Sequence, residues 1–97
     1  QVFVIEYEKD GEVTVHRVIT PSTLVQDIQS LRQSNEITRA YPYYTLLHTA
    51  EHIVETTNHD QVRYIHLFEY YLNKFTPYIS DQGKKILEED ISVIRGM

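Results

Sequence analysis

The sequence predicts an α+β fold in which an N-terminal antiparallel β-hairpin packs on a small bundle of about four α-helices. Two runs rich in β-branched and aromatic residues flank a short Asp-Gly segment, and four later segments show the apolar spacing of helices. With 97 residues the chain has room for one hydrophobic core, so we expect a single small domain over 1–97. Because the chain begins with Gln1 instead of Met, we also expect it to be an excised part of a longer protein.

The two β-rich runs cover residues 1–8 and 12–19. A three-residue loop between them places Tyr7 opposite Val13 and gives the hairpin one apolar face. A two-residue turn would place Tyr7 opposite Thr14 and mix polar with apolar residues on both faces. We therefore predict the three-residue loop. Helices should cover the apolar face, because an isolated hairpin is only marginally stable in water.

The first two helices have clear start signals. Helix 1 is predicted to begin after Thr20, its N-cap, and to run to about Gln33. Helix 2 is predicted to begin at Pro42, after a loop in which Ile37 and Tyr41 turn inward. The apolar stripes that would face the core are Leu24, Ile28 and Leu31 in helix 1, and Tyr43, Leu46, Leu47, Ala50, Ile53 and Val54 in helix 2.

The start of helix 3 has a weak capping signal, whereas the start of helix 4 has a clear one. Asn58 with Gln61 forms a possible capping box for helix 3, which runs to about Phe75. Apolar residues occupy most sides of helix 3, a pattern that predicts a central position in the bundle. Ser80 is predicted to cap helix 4, and the acidic residues 88–90 are interpreted as a solvated face. The apolar stripe of helix 4 consists of Ile86, Leu87, Ile91 and Ile94.

The most specific motif is the string His48-Thr-Ala-Glu51-His52 in helix 2. It resembles the His-x-x-Glu-His signature of the inverted zinc-peptidase families, in which two histidines one turn apart bind zinc and the glutamate activates water. The resemblance covers five residues and implies a metal-dependent hydrolase, to which Glu69 and His66 could add further ligands. At 100° per residue, however, both histidines lie opposite the apolar arc of helix 2. We therefore favour a solvated helix face, with the hydrolase as the alternative.

Composition narrows the range of functions. The chain has no cysteine, which excludes disulfides and Cys-ligated zinc or iron–sulfur sites, and its three glycines form no phosphate-binding loop. Nine scattered Lys and Arg residues against 14 Asp and Glu give a net charge of −5, which disfavours nucleic acid as a partner. No apolar run reaches the roughly 18–20 residues that span a bilayer. We expect no cofactor, no membrane partner and a cytoplasmic location.

The eight tyrosines are the most unusual feature of the composition. Tyr44 and Tyr70 fall at or beyond the edges of the apolar arcs, where a tyrosine either shields the core as a half-buried residue or anchors a protein interface. The outer face of the hairpin also has an open edge that a partner strand could join. We predict a non-catalytic, intracellular interaction or regulatory module that binds another protein or itself as a homodimer. An inhibitor of a host protein, encoded by a phage or mobile element, is a further alternative. The predicted partner-binding residues are Val2, Val4, His16, Val18, Tyr44 and Tyr70.

Overall fold

The structure is a computed structural model that describes residues 3–9, 12–38 and 40–96, with side chains described from Ile19 onward. In the part with described side chains, helices cover 83% of the residues and no strand follows Ile19. The predicted α+β class is therefore wrong, because most of the buried core residues lie in helices and none of the described residues after Ile19 belongs to a strand. The predicted packing of the hairpin on the bundle involves residues 1–18, whose side chains the structure does not describe.

Four helices form a ring in which each helix packs against the next and the last packs against the first. Short connections join them, so neighbours in the sequence are neighbours in space. The predicted helical bundle is confirmed. Its elements are α1 (Pro21–Gln33), α2 (Ala40–Glu55), α3 (Asn58–Lys74) and α4 (Asp81–Arg95), with a 3₁₀ turn at Thr76–Tyr78 before α4.

The backbone ahead of α1 is traced as two antiparallel strands, β1 (Phe3–Lys9) and β2 (Glu12–Ile19). The pairing places Tyr7 opposite Thr14, whereas the prediction placed it opposite Val13. The predicted loop itself falls on residues 10 and 11, which lie outside the described part of the chain. A register irregularity lies farther along β1. This shift adds a residue to β2, whereas the predicted loop would add one at the end of β1, so the predicted register is not restored.

The core lies where the four helices face one another, and Ile19 at the end of β2 is fully buried in it. Phe68 is its largest fully buried side chain. The predicted stripe of α1 is confirmed, and so is that of α4, where Ile86 is partly buried. The α2 stripe holds except at Val54, whose side chain is exposed. Buried helical residues are Leu24, Ile28, Leu31, Leu46, Ala50, Ile53, Ile65, Phe68, Leu72, Leu87, Ile91 and Ile94.

Helix α3 is not central in the bundle, contrary to the prediction. Its buried residues are Ile65, Phe68 and Leu72, which lie on one face, whereas Val62 and Leu67 are exposed. The spread of apolar residues around α3 suggested burial on all sides. In a ring of four, however, α3 packs on only two other helices, α2 and α4. Several of its large apolar side chains are consequently left at the surface.

Two of the three predicted helix caps are confirmed. The hydroxyls of Thr20 and Ser80 each accept a hydrogen bond from a backbone N–H in the first turn of α1 and α4, respectively. The predicted capping box of α3 is wrong, because Asn58 lies inside the helix and its N-cap, Thr57, makes no side-chain cap bond. The side chain of Gln61 donates instead to backbone carbonyls at the end of α2.

Asp90 of α4 is fully buried, so the prediction of a solvated acidic face over residues 88–90 is wrong at this position. Asp90 lies three residues after Leu87 and four before Ile94, which places it on the buried side of the helix. The two preceding glutamates are exposed, as predicted. The helical spacing, not the run of acidic residues, determines which carboxylate enters the core.

Two loops at the same end of the bundle are joined to each other. Ile37, between α1 and α2, forms an antiparallel bridge with Ile79, between α3 and α4. The backbone N–H of Ser80 donates to the carbonyl of Glu36 at 2.8 Å. Ile37 is fully buried, as predicted. This pairing fixes the start of α2 relative to the end of α3, and the candidate site described below lies at that place.

Candidate functional site

The two histidines of the zinc-peptidase-like string lie on the outer face of α2, as the helical spacing predicts. The His48 side chain is 70% exposed, and its Nδ1 lies 3.1 Å from Oε1 of Glu51. The imidazole of His52 stacks on the ring of Tyr64 in α3, with centroids 4.7 Å apart and an interplanar angle of 9°. Each imidazole therefore contacts a different group, and the two histidines and Glu51 do not converge on one point.

The other two candidate metal ligands form a separate pair on α3. His66 Nδ1 lies 4.0 Å from Oε1 of Glu69, and Glu69 also forms an ion pair with Arg95 of α4. A zinc site with protein ligands needs at least three donors around one point. Among the residues that the structure describes, no group of three or more His, Cys, Asp or Glu side chains is placed to hold a metal ion.

The predicted partner-binding residues divide into two groups. Tyr44 and Tyr70 are exposed to 55% and 58%, respectively, so both rings face solvent in the chain as described. The hairpin residues stay predictions because their side chains lie outside the described part of the chain: Val2, Val4, His16 and Val18.

Aromatic rings cover the region where α2 begins and α3 ends. Phe75 lies at its centre, with Tyr41 edge-on at 6.0 Å and Tyr71 stacked at 5.7 Å between ring centroids. Tyr70 contacts Tyr71 at 5.4 Å, and Tyr44 lies one helical turn after Tyr41. We name this set of rings the aromatic surface: Tyr41, Tyr44, Tyr70, Tyr71 and Phe75.

Tyr41 is the most exposed of these rings, at 73%, and the prediction that it turns inward is wrong. Helix α2 begins at Ala40, two residues earlier than predicted, so Tyr41 belongs to its first turn. Pro42 is tolerated there because the first turn of a helix needs no N–H from that position. Proline is favoured throughout the first turn of a helix, so Pro42 indicates that turn without identifying its first residue.

Positive charges lie against the rings at this end of the bundle. The Lys74 ammonium is 5.8 Å from the centroid of Tyr70 and 6.0 Å from that of Phe75. The Arg32 guanidinium lies 5.9 Å from the centroid of Tyr43. Such distances are in the range of cation–π contacts. The acidic residues of α2, Glu51 and Glu55, lie in its second half, at the other end of the helix.

A groove of about 300 Å³ opens at the edge of the aromatic surface. Its lining residues are Tyr41, Pro42, Lys74, Phe75 and Tyr78. Phe75, only 4% exposed, lies at the bottom, and Lys74 is the one charged lining residue. A smaller groove of about 240 Å³, between α1 and α2, is bordered by two glutamates, Glu51 and Glu55, and contains no aromatic lining residue.

No protein-family model, curated protein or solved structure matches the chain. Across the described residues, none of the helices combines the length and the apolar character needed to cross a bilayer. The aromatic surface is therefore the candidate functional site on the grounds of its own chemistry, namely exposed tyrosine rings beside a groove with one lysine.

Proposed function

We propose that this protein is a non-catalytic interaction module that binds another protein through the aromatic surface. The observation that carries the proposal is the exposure of three tyrosines, Tyr41, Tyr44 and Tyr70, each more than half accessible to solvent. Large exposed aromatic residues are enriched at protein interfaces and account for much of the binding energy there. The cytoplasmic location and the regulatory role stay predictions from the sequence.

The packing of the rings supports this proposal on energetic grounds. Tyr71 and Phe75 stack in parallel, and Tyr41 contacts the edge of the same cluster, so most rings are held by neighbours before a partner arrives. A pre-ordered surface loses less conformational entropy on binding than a mobile one. Tyrosine adds a hydroxyl that can hydrogen-bond at the wet edge of an interface.

The partner is either a different protein or a second copy of this chain. A homodimer is the simplest form of assembly, since most soluble oligomers are two-fold symmetric. The net charge of −5 on each copy opposes self-association at low ionic strength. The molecular mass in solution over a concentration series separates the two cases, because a homodimer gains mass with concentration and a strict monomer does not.

Affinity capture from an extract of the cells that naturally produce the protein tests the proposal. The variant carries Tyr44→Ser with Tyr70→Ser, and the matched control is Val62→Ser, which replaces an exposed apolar residue elsewhere on α3. We expect the wild type and the control to recover the same partner and the double variant to recover at least about tenfold less, as for interface hot spots. Equal recovery by all three proteins would contradict the proposal.

Metal analysis tests the alternative hydrolase. The protein is purified without a histidine tag, and its zinc content is compared with that of His52→Ala. Stoichiometric zinc that disappears in the variant would overturn the non-catalytic proposal, because the exposed histidine string would then be a metal site completed by another molecule or chain segment.

A further inference from the structure

We infer that the groove beside the aromatic surface binds a proline-rich segment of a partner protein that carries acidic residues. This inference rests on the proposed function and names the chemistry of the partner. The groove offers flat aromatic walls, one positive charge and no carboxylate among its lining residues. Each of these properties restricts the kind of ligand that fits.

The walls of the groove are suited to a rigid apolar ring. Tyr41 stands edge-on to Phe75, with an interplanar angle of 85°, and Tyr78 is tilted by 50° to the same ring. These rings form a slot with a buried floor and an exposed wall. Prolyl rings dock into aromatic-lined grooves of this kind, and a polyproline segment is already extended before it binds.

The backbone carbonyls around the groove already have hydrogen-bond partners. The carbonyl of Tyr41 accepts from the Thr45 hydroxyl at 3.1 Å, and that of Phe75 accepts from the N–H of Tyr78 at 2.8 Å. The carbonyl of Tyr78 accepts from the N–H of Thr38 at 3.0 Å. A backbone N–H of a ligand would therefore have to share one of these three carbonyls with its present donor. Proline has no N–H, so a proline-rich segment avoids this mismatch.

The charge of the groove selects an acidic segment. Among the residues that the structure describes, none forms an ion pair with Lys74, whose ammonium lies over the rings of Tyr70 and Phe75. Lys84, in contrast, already donates to the Thr76 hydroxyl at 2.9 Å. A ligand carboxylate beside Lys74 would complete an ion pair at the rim of the groove.

Single-stranded nucleic acid also stacks on aromatic rings, but the groove is a poor site for it. Such sites combine the rings with a positively charged track along several phosphates. Only one cation lines this groove, in a chain with a net charge of −5. Binding of an oligonucleotide is therefore an outcome that would count against the inference.

The experiment measures fluorescence anisotropy with the whole 97-residue chain and a labelled synthetic peptide of prolines with two central aspartates. Two control peptides are matched to it. In the lysine peptide the two aspartates are replaced by lysines, and in the glycine–serine peptide the prolines are replaced by glycine and serine. We expect the acidic proline peptide to bind with a dissociation constant below about 1 mM. The lysine peptide should bind about three- to fivefold more weakly, the range for an exposed ion pair, and the glycine–serine peptide at least about tenfold more weakly.

Two variants locate the binding in the groove. Tyr41→Ala removes a wall that is 73% exposed, so the fold should persist while binding falls about tenfold or more. Lys74→Glu should reverse the preference between the aspartate and lysine peptides. Val62→Ser, outside the groove, should change neither the affinity for the acidic proline peptide nor the preference between the aspartate and lysine peptides.

Three results would overturn the inference: no binding of the acidic proline peptide up to about 1 mM, equal binding of the three peptides, or stronger binding of an oligothymidine. If these occur while the double variant Tyr44→Ser with Tyr70→Ser still loses its captured partner, the proposed function stands and only the chemistry assigned to the partner fails.

Discussion

Replacing Phe68 with alanine should remove a large part of the stability of the protein. Phe68 is fully buried on the inner face of α3, whereas its neighbour Leu67 is 37% exposed. Truncation of a buried phenylalanine costs about 3–5 kcal/mol, including the cavity that it leaves. A domain of this length has a free energy of unfolding of about 5–15 kcal/mol, so the variant should lose a third or more of it over most of that range. Leu67→Ala removes a side chain that is only partly buried and should cost about 1 kcal/mol.

Urea denaturation followed by circular dichroism measures both variants under identical conditions. Since each kcal/mol shifts the melting midpoint of a domain of this size by roughly 4–8 °C, the midpoint of Phe68→Ala should be about 12–40 °C lower than that of the wild type. Leu67→Ala should melt only a few degrees below the wild type. Similar losses for the two variants would refute the one-sided packing of α3 and support the central position that the sequence pattern suggested.

Three further pairs of variants test local features by the shift in free energy of unfolding from urea denaturation. Thr20→Ala removes the N-cap of α1 and should cost about 1 kcal/mol, whereas Thr57→Ala removes no cap bond and should cost less than about 0.5 kcal/mol; equal costs would contradict the cap assignment. Gly83→Ala would place a methyl group 3.1 Å from the N-cap hydroxyl of α4, and this contact should offset the roughly 0.5–1 kcal/mol that alanine gains over glycine in a helix, while Gly96→Ala meets nothing closer than 3.6 Å and should be nearly neutral; a Gly83→Ala protein stabilised by that full amount would show that the contact is not tight. Asn35 has a φ of 62°, so Asn35→Ala should cost about 1 kcal/mol and Asn35→Gly almost nothing; the reverse order would argue against the left-handed backbone.

Local chemistry in the sequence was sufficient to predict the helices with strong start signals. Thr20 as a cap with Pro21 behind it gives α1 its observed first residue, and Ser80 does the same for α4. Their apolar stripes also have a single arc, so the buried face follows from helical spacing alone. The outward direction of the histidines on α2 follows from the same arithmetic. These features depend on residues a few positions apart and need no knowledge of the remaining chain.

Features that depend on the number and position of neighbours could not be obtained in this way. The apolar residues around α3 are compatible with either a central helix or a helix with an exposed apolar side, and only the ring of four distinguishes them. The composition of the first 19 residues led to an α+β class, although the core described from Ile19 onward is built by helices. Asp90 is a different case. Its spacing from Leu87 and Ile94 is enough to predict burial, but the run of acidic residues favours a solvated face.

The groove also depends on a contact that no local pattern indicates. Tyr41 and Phe75 are far apart in the sequence, and they meet because α2 begins where α3 ends. The positions of Tyr44 and Tyr70 at the edges of their apolar arcs indicate an interface in general terms. They could not show that Lys74 and Phe75 would complete the site from another helix.

The backbone pairing between the two loops, at Ile37 and Ile79, makes the ends of the bundle unequal. Amide protons in these joined loops should exchange with solvent deuterium more slowly than those of the α2–α3 connection, residues 56–57, because their release requires both loops to separate. Brief opening of the protein should therefore start at the α2–α3 connection, which a protease would cut first. The groove lies at the end of the bundle where the two loops are paired, so it should keep its shape while the α2–α3 connection opens.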